Sequence, residues 1–585
     1  MPAYSVRKPL SVEEKNALGL SSDLVSHLLF HRGITDAVSA DTFLTPSYDR
    51  DIHDPFLLKD AEKAARRIIQ AIKSDEKIAI YADYDADGIP GAVIWNDFFV
   101  RISFKNFIIY IPHRHDEGFG LNVEAVNELV SQGVKLIVTV DCGISDVVPV
   151  AHANSKGLEV IITDHHEAPA HVPPAYAIVD HKQVDCMYPD KFLCGSGVAF
   201  KLIQAILKIE RFGLKEGMEK WLLDLVGMAT LSDMVPLIGE NRVLAQYGLN
   251  VLRKSQRLGL VRLLAKLKIP QKYITEDDIG FMISPRINAA SRMGVPMDAF
   301  KLLSAQTEED AKFFADHLDE INNERKGMVA ALVKDVKKKV HERHGDVIPH
   351  AIVLGNPEWR PSLLGLAANS CAEEFKRPVF LWGRDGGDVI KGSCRSEGTS
   401  NVVEIMKGAL EGTFLQFGGH HHSGGFAVGN DAIHFLDSRL NESAKKISNI
   451  KSQILNQTNA ENVKEAEEIG QIIIDKELSI EDVMWSLFDD ISKLAPFGVG
   501  NPRPVFLFKN IVADSVRIFG KTNNHVEIIF KKKSGAKIPA IAFFAAPTEW
   551  AKNLKANTKI NLIASVEKSM FRGRPELRLR VIEVV

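Results

Sequence analysis

Three aspartates at alternate positions, Asp83, Asp85 and Asp87, directly follow the apolar run KIAI and run into Gly88. Carboxylates crowded in this way cannot neutralise one another, so their pKa values rise or they demand a cation. Three further segments bring hard donor groups to similar places. Asp141, with Cys142 and Gly143, follows KLIVTV; Asp164, His165 and His166 follow EVIIT; Asp233 lies within LVGMATLSDMVPL. Alone, each has a plain structural use. D-x-D-x-D-G also describes a calcium-type loop or an Asp-capped turn, Asp-Cys-Gly a turn, a histidine pair a surface or core contact, and Asp233 a helix cap. Their joint occurrence in one stretch, each tied to an apolar run, points instead to divalent-metal chemistry.

The elements that must position them are legible in outline. From about residue 55 to 245, short runs rich in Ile and Val (KIAIY, NFIIYI, KLIVTV, EVIIT, YAIV) alternate with helical stretches. That alternation predicts a parallel sheet wound with helices on both faces, which places its ligands at the carboxyl ends of the strands. Across 306–345, Phe314, Leu318, Ile321, Met328, Leu332, Val336 and Val340 recur at spacings of three, four or seven among charges, which predicts one long amphipathic connecting helix. A second α/β-like region with AIVLG and PVFLW follows. A polar stretch near 448–468 reads as a linker, and HVEIIF, IPAIAFF, KINLIASV and ELRLRVIEVV predict a small barrel.

Composition sets limits. A chain of 585 residues exceeds one core and divides into several domains. Net charge is −3, so any basic nucleic-acid surface must be local. Five cysteines, odd in number and without C-x-x-C spacing, argue against a disulfide framework or a structural zinc site and suit a reducing cytoplasm. The N-terminal segment lacks the apolar stretch of a signal peptide, and no run of about 18 apolar residues predicts a membrane span. A cytoplasmic protein is expected.

In sequence and order, the four metal-type segments resemble the motifs of the DHH phosphoesterases, named for Asp164-His165-His166. Flanking text narrows the resemblance to the RecJ branch: the stretch from Pro112 through Arg114 to Leu121, Tyr188-Pro189 with Gly195 to Lys201, Glu240-Asn241-Arg242, and Pro285 to Ala290. Residues 1–55 read as an N-terminal helical extension, and the resemblance, which runs from about residue 55 to the C-terminus, implies a parallel-sheet DHH catalytic domain (56–300), a connecting helix (301–346), a smaller α/β DHHA1 domain (347–447), a linker (448–468) and a C-terminal OB-type β-barrel (469–585). It implies a 5′→3′ exonuclease specific for single-stranded DNA, releasing 5′-mononucleotides in recombination and repair. Two divalent cations, Mn²⁺ or Mg²⁺, are implied, with Asp83 and Asp85 on one side, Asp87, His165 and Asp233 on the other and Asp141 bridging. Asp87, Asp141, His165 and His166 are then the catalytic set, His166 on the scissile phosphate and Asp164 orienting a histidine from behind.

The later motifs extend this reading. Lys391 to Ser396 and Phe417 to Gly425 resemble the paired DHHA1 signatures, in which small residues admit backbone N–H groups to phosphate oxygens. On that basis Arg114, Arg286, Asn288, Arg292, Ser393, Arg395, Ser396, Gly419 and His420 are expected to bind substrate phosphates. In the barrel, Phe530, Lys531, Lys533, Phe571, Arg572 and Arg574 offer basic groups interleaved with aromatics, the composition of a single-strand platform. Expected partners are single-stranded DNA with a 5′ end, a single-strand-binding protein and a helicase, and no membrane.

The chain also departs from the pattern. Ile89-Pro90-Gly91 replaces the usual hydroxylated residues. Trp359-Arg360-Pro361-Ser362 stands for Trp-His-Pro-Gly, Ser291 for a glycine before Arg292, and Ser423-Gly424-Gly425 for Ala-Ala-Gly. None of these removes a metal ligand; Arg360 bears on phosphate handling. Two other functions compete: a phosphodiesterase for short oligonucleotides or cyclic dinucleotides, which the terminal barrel disfavours, and an inactive replication scaffold, which the full ligand set disfavours.

Overall fold

The computed structural model describes residues 4–345, 347–384, 389–398, 400–457, 471–520, 523–570 and 574–585. The chain forms two compact units, one of Met1–Pro112, Phe119–Ser284 and Gln471–Val585, the other of His113–Gly118 and Pro285–Gly470.

In the first unit the five apolar runs pair as parallel strands in the order Phe107–Tyr110, Ile78–Ala82, Leu136–Val140, Glu159–Thr163, Ala177–Val179. Parallel strands are covered on both faces and so need unbroken apolar sequence; every residue of Ile78–Ala82 and Leu136–Val140 is buried. Gly195–Ile209 packs against both Ala61–Lys73 and Gly88–Arg101, and Val123–Ser131 packs against Val147–Ser155. The winding reverses between Ile78–Ala82 and Leu136–Val140, because the second strand in sequence lies on one side of the first and the third on the other. Open α/β sheets hold their ligands beyond the carboxyl ends of such a pair. Asp83 and Asp141 begin just there.

The barrel belongs to the same unit. Phe506–Phe519, His525–Lys531, Lys537–Ala542, Glu576–Val584 and Lys559–Ser569 pair in that order, and the first closes on the last. Its core is shared with the N-terminal helices: Leu18, Val25, Leu28 and Leu29 pack with Phe506, Phe508 and Phe530. Tyr4–Val6 pairs in parallel with Ile472–Ile474. Arg242, 2% exposed, ties three segments together through carbonyls: Nε to Phe43 at 2.8 Å, and its two Nη atoms to Leu494 and Ala495, each at 3.0 Å. Glu240 beside it is buried against Lys201 Nζ at 2.8 Å.

In the second unit the helix Glu308–His344 buries Leu332, Val336 and Val340 against Leu363, Leu364 and Ala367 of the helix Pro361–Phe375, leaving its charges outside. The sheet runs Gln416–Gly419, Ser423–Val428, Ile390–Arg395, Val379–Gly383, Ile352–Gly355. Only the last pair is parallel, so this smaller α/β sheet is mixed. The helix Leu436–Gln457 covers the first part of the stretch read as a linker; residues 458–470 lie outside the described ones.

Candidate metal centre

Each segment of the site is held by backbone before any ion is considered. Asp83 extends the first strand, its N–H donating to Val140 O at 3.0 Å. Asp85 Oδ1 accepts the N–H groups of Asp87 and Gly88 at 2.7 and 3.1 Å, a tight turn that swings Asp87 back under the strand end. Gly88 is required because a Cβ there would strike the Asp83 backbone. Asp87 accepts at both oxygens, from Gly195 N–H at 2.6 Å and Ser196 N–H at 2.8 Å. These are the first amides of the helix Gly195–Ile209, where free donors and the helix dipole favour an anion.

Asp141 follows the third strand at φ 62°, a left-handed conformation that an aspartate tolerates better than most residues. Asp164 organises the DHH turn. Its Oδ2 accepts from Ile144 N–H at 2.9 Å, while Oδ1 accepts from the His165 and His166 N–H groups at 2.7 and 3.2 Å and lies 2.7 Å from His166 Nδ1. Asp233 caps the end of the helix Leu223–Ser232, its N–H donating to Ala229 O at 2.9 Å.

These pieces bring the donor atoms together. Ligand atoms of Asp83, Asp85 and Asp141 lie within 4.8 Å of one another, and so do those of Asp87, His165 and Asp233, and those of Asp141, His165 and His166. His165 Nε2 is 3.0 Å from Asp141 Oδ1 and 3.9 Å from Asp87 Oδ2, and its Nδ1 is 3.8 Å from Asp233 Oδ2. The 3.0 Å approach lacks hydrogen-bond alignment, and Asp141 Oδ1 has no donor among the described residues. Neighbouring ligands about 2.1 Å from an octahedral ion stand about 3 Å apart, so this buried, undonated oxygen is suited to a divalent cation.

Electrostatics agree. Burial raises the Asp87 carboxyl, and burial followed by the charges of Asp87, Asp85, Asp83 and Asp233 raises Asp141 well above its ordinary value. Asp233 is pushed up to about 8 by burial and then by Asp87 and Asp85. Burial also pushes His165 down, which keeps a neutral imidazole lone pair. Against burial, the hydrogen bond and charge of Asp164 bring His166 up to about 9. Burial works against Asp164 too, yet the His166 hydrogen bond and charge hold it below its usual value.

Comparison with known proteins identifies this arrangement. Residues 77–230 match the DHH family N-terminal domain, 347–451 the DHHA1 domain and 474–583 the RecJ OB domain. The single-stranded-DNA-specific exonuclease RecJ of Bacillus subtilis is 34% identical over 560 residues, covering 95% of this chain and 67% of the relative. RecJ of Haemophilus influenzae is 31% identical over 539 residues, covering 90% and 91%. The chain belongs to the RecJ family of single-stranded-DNA-specific exonucleases. Among solved structures, Thermus thermophilus RecJ with Mn²⁺ superposes with a TM-score of 0.79 at 24% identity, covering all of this chain and 79% of the other, which speaks for the fold. An exonuclease RecJ bound to manganese superposes at 0.57 with 30% identity, covering 66% of this chain and 95% of the other.

Within the second unit of this RecJ-family chain, the two glycine-rich signatures are neighbouring strands, with Ser423 opposite Arg395, Gly424 opposite Cys394 and Gly425 opposite Ser393. Arg395 Nη1 donates to Cys394 O at 2.8 Å; burial, with Arg114 adding, lowers its guanidinium. Ser396 Oγ donates to Ser400 O at 2.5 Å and lies 3.4 Å from His422 Nδ1. Gly419 takes φ 143°, and His420 N–H donates to Ser423 O at 2.7 Å, leaving the His420 side chain exposed. Arg286 is buried in an ion pair with Asp319 at 2.8 Å, and Arg292 Nη1 donates to Ser362 O at 2.8 Å. Asn288 is half-buried on the helix Ser284–Met293.

The barrel requires a correction. Phe530 was expected on a DNA-facing platform, but it is 1% exposed and sits in the barrel core. In His525–Lys531 alternate residues face in, so Val526, Ile528 and Phe530 share the interior face. Lys531, Lys533 and Arg574 are exposed; Phe571 and Arg572 lie outside the described residues. The exposed aromatic group is elsewhere. The His525 ring lies 5.3 Å from Phe519, 5.5 Å from Phe543 and 4.8 Å from Phe544, and Arg578 and Arg580 lie 5.9 and 5.8 Å from the Phe543 ring centre. Phe544 is 71% exposed, at φ 57° with its N–H donating to His525 Nδ1 at 3.0 Å. The Phe543-Phe544 pair at the end of an alternating strand was the available signal. Sequence reasoning also gave no role to the Gly195 and Ser196 amides, nor to Phe119, whose exposed ring lies 5.6 Å from His166. No helix among the described residues is long and apolar enough to cross a membrane.

Proposed function

We propose that this chain hydrolyses single-stranded DNA from its 5′ end, releasing 5′-mononucleotides in recombination and repair, with two divalent cations, Mn²⁺ or Mg²⁺. The observation that carries the reading is the convergence of six acidic and imidazole side chains at the switch point of a parallel sheet, in a chain of the RecJ family. In this reading Asp83, Asp85 and Asp141 hold one cation and Asp87, His165 and Asp233 the other, with Asp141 shared. Bound there, the cations supply Lewis-acid chemistry, polarising phosphoryl oxygens and lowering the pKa of water.

The chain's own residues do the rest. Gly195 and Ser196 fix both oxygens of Asp87, so its orientation needs no further adjustment. Asp164 anchors His166 through Nδ1 and keeps it cationic, which leaves Nε2 to meet the charge of the scissile phosphate. We assign terminal-phosphate binding to Arg114, Ser393, Arg395, Ser396, Gly419 and His420, with Arg286, Asn288 and Arg292 supporting. The strand's bases are assigned to the face of Phe519, His525, Phe543 and Phe544. An exposed aromatic face on a barrel suits long strands better than dinucleotides.

Single strands labelled at the 5′ or 3′ end, a duplex and dinucleotides, each with Mn²⁺, Mg²⁺ or EDTA, test the proposal. The 5′ label should appear first, as mononucleotide, from single strands only and not in EDTA. Earlier release of the 3′ label, or preference for dinucleotides, overturns it.

A further inference from the structure

Two residues before Asp83, Tyr81 is fully buried and stacks on Tyr110 with ring centres 5.2 Å apart. Its hydroxyl donates to Gly120 O at 2.7 Å and accepts from Asn122 Nδ2 at 3.4 Å. One residue on from that glycine, Leu121 N–H donates to Asp146 Oδ2 at 2.6 Å, and the Leu121 side chain is buried with Val126 and Leu129. Gly120 takes φ 82°, and a Cβ there would stand 2.6 Å from Asp146 Oδ2. The backbone comes within reach of both groups only because that side chain is missing. Consecutive residues are thus gripped by a buried phenol and a carboxylate, neither of which belongs to the metal cluster.

The residue just before this clamp is Phe119. Its ring is 55% exposed and lies 5.6 Å from the His166 ring at an interplanar angle of 75°. The His166 side chain is anchored at one point, Nδ1 against Asp164 Oδ1 at 2.7 Å. A single hydrogen bond fixes that nitrogen and leaves the ring free to swing about it, and an aromatic neighbour restricts the swing. His166 has two such neighbours among the described residues: His165 at 4.6 Å, itself a proposed metal ligand, and Phe119. Half of the Phe119 ring faces solvent, so burial alone does not hold it; the clamp on Gly120 and Leu121 does. The direction of the His166 ring matters because charge stabilisation requires a donor aimed at where the phosphate charge develops. We propose that Tyr81 and Asp146 are positioning residues for His166 that act through Phe119. The proposal rests on the reading that His166 meets the scissile phosphate.

Cleavage kinetics of the full chain on a 5′-labelled single strand with saturating Mn²⁺, paired with Mn²⁺ calorimetry, test this. Tyr81→Phe deletes one oxygen and keeps the ring. It should lower kcat about tenfold, since misplacement by about 1 Å costs up to about 100-fold. KM, Mn²⁺ affinity and circular dichroism should stay close to wild type. Phe119→Ala should lower kcat to a similar degree, and adding Tyr81→Phe to it should cost less than about twofold more, because groups acting through one contact are not additive. Asp146→Ala should behave like Tyr81→Phe, while Asp146→Asn, which keeps an acceptor oxygen for Leu121 N–H, should restore most of the rate. Wild-type kcat in Tyr81→Phe, a full second loss when it is combined with Phe119→Ala, or a loss confined to KM or Mn²⁺ affinity overturns the proposal. Either pair, Tyr81 with Phe119 or Asp146 with Phe119, decides the matter if the other variant misfolds. A wild type that does not cleave removes the nuclease reading and the proposal with it; a cleaving wild type with additive variants removes the proposal alone.

Discussion

Gly195 is pressed against Asp141: a Cβ built on the glycine would stand 2.5 Å from the Asp141 Cβ and 2.8 Å from its Cα. The same residue gives its N–H to Asp87. One glycine therefore sets the distance between two proposed ligands that follow different strands, because a helix N-terminus can approach a strand end this closely only without a side chain.

Gly195→Ala should consequently disturb the centre without removing any ligand. The obstructing atoms belong partly to backbone, so Asp141 or the helix must shift. Losses of about 10- to 100-fold in metal affinity are typical when supporting contacts fail. Mn²⁺ calorimetry should register a loss of that order, with a parallel fall in cleavage and near-normal circular dichroism. Wild-type affinity in the alanine variant would mean that the contact does not position the ligands.

The cluster of carboxylates should also cost stability when no cation neutralises it. Asp141 is raised by burial first and then by four other aspartates. Asp141→Asn removes one charge while keeping shape, and asparagine accepts φ 62° readily. In EDTA the variant should resist urea better than the wild type. With Mn²⁺ at a hundred times its dissociation constant the wild type should gain about 2.7 kcal/mol, and the variant far less. An undiminished Mn²⁺ gain in Asp141→Asn would remove Asp141 from the ligand set.

The strands were readable because burial on both faces forces unbroken apolar runs, and the metal-type residues because hard donors recur at the ends of those runs. Phe530 was misread because composition alone does not say which of two alternating faces a barrel residue occupies; its neighbours Val526 and Ile528 set the inward register. The docking of Leu28 and Leu29 against Phe506 and Phe508 had no local signature, since the partners lie far apart in the chain. Gly195 belongs to a recognisable motif, but its closeness to Asp141 exists only after folding.

The joint between N-terminal helices and barrel should be sensitive to acid. His27 is 5% exposed, and its Nε2 lies 2.6 Å from Asp475 O, so that nitrogen carries the proton of a neutral ring. Burial lowers its pKa below 6.5; the Asp475 carbonyl opposes this, while nearby His31 and Lys476 add to it. The unfolded chain therefore takes up a proton before the folded one does. This contribution to stability is present above pH 6.5 and is lost as pH falls through the lowered folded value. Urea unfolding of wild type and His27→Gln from pH 8 to pH 5 should show the wild type losing its advantage by up to about 1.4 kcal/mol per pH unit. A difference independent of pH would mean that His27 does not change protonation on folding.

The aromatic face of the barrel gives the last prediction, and it separates strand binding from chemistry. Phe544 keeps a left-handed backbone that bulky residues avoid, with its ring exposed and its N–H fixed on His525. Stacking of a base on such a ring is worth about 1–3 kcal/mol, so Phe544→Ala should weaken binding of a long oligothymidylate by roughly 5- to 150-fold. Arg580 lies exposed near the Phe543 ring, and no carboxylate partner for it is found among the described residues. Replacing it with Gln should lower the slope of log affinity against log salt by about 0.7, one phosphate contact on a single strand. Neither change touches the metal ligands, so Mn²⁺ affinity and cleavage of a trinucleotide should stay at wild-type levels. Fluorescence anisotropy across a salt series supplies the binding half and product analysis the other. If long-strand affinity survives both substitutions, the strand runs over another face; if trinucleotide cleavage falls with it, the barrel contributes to the chemistry.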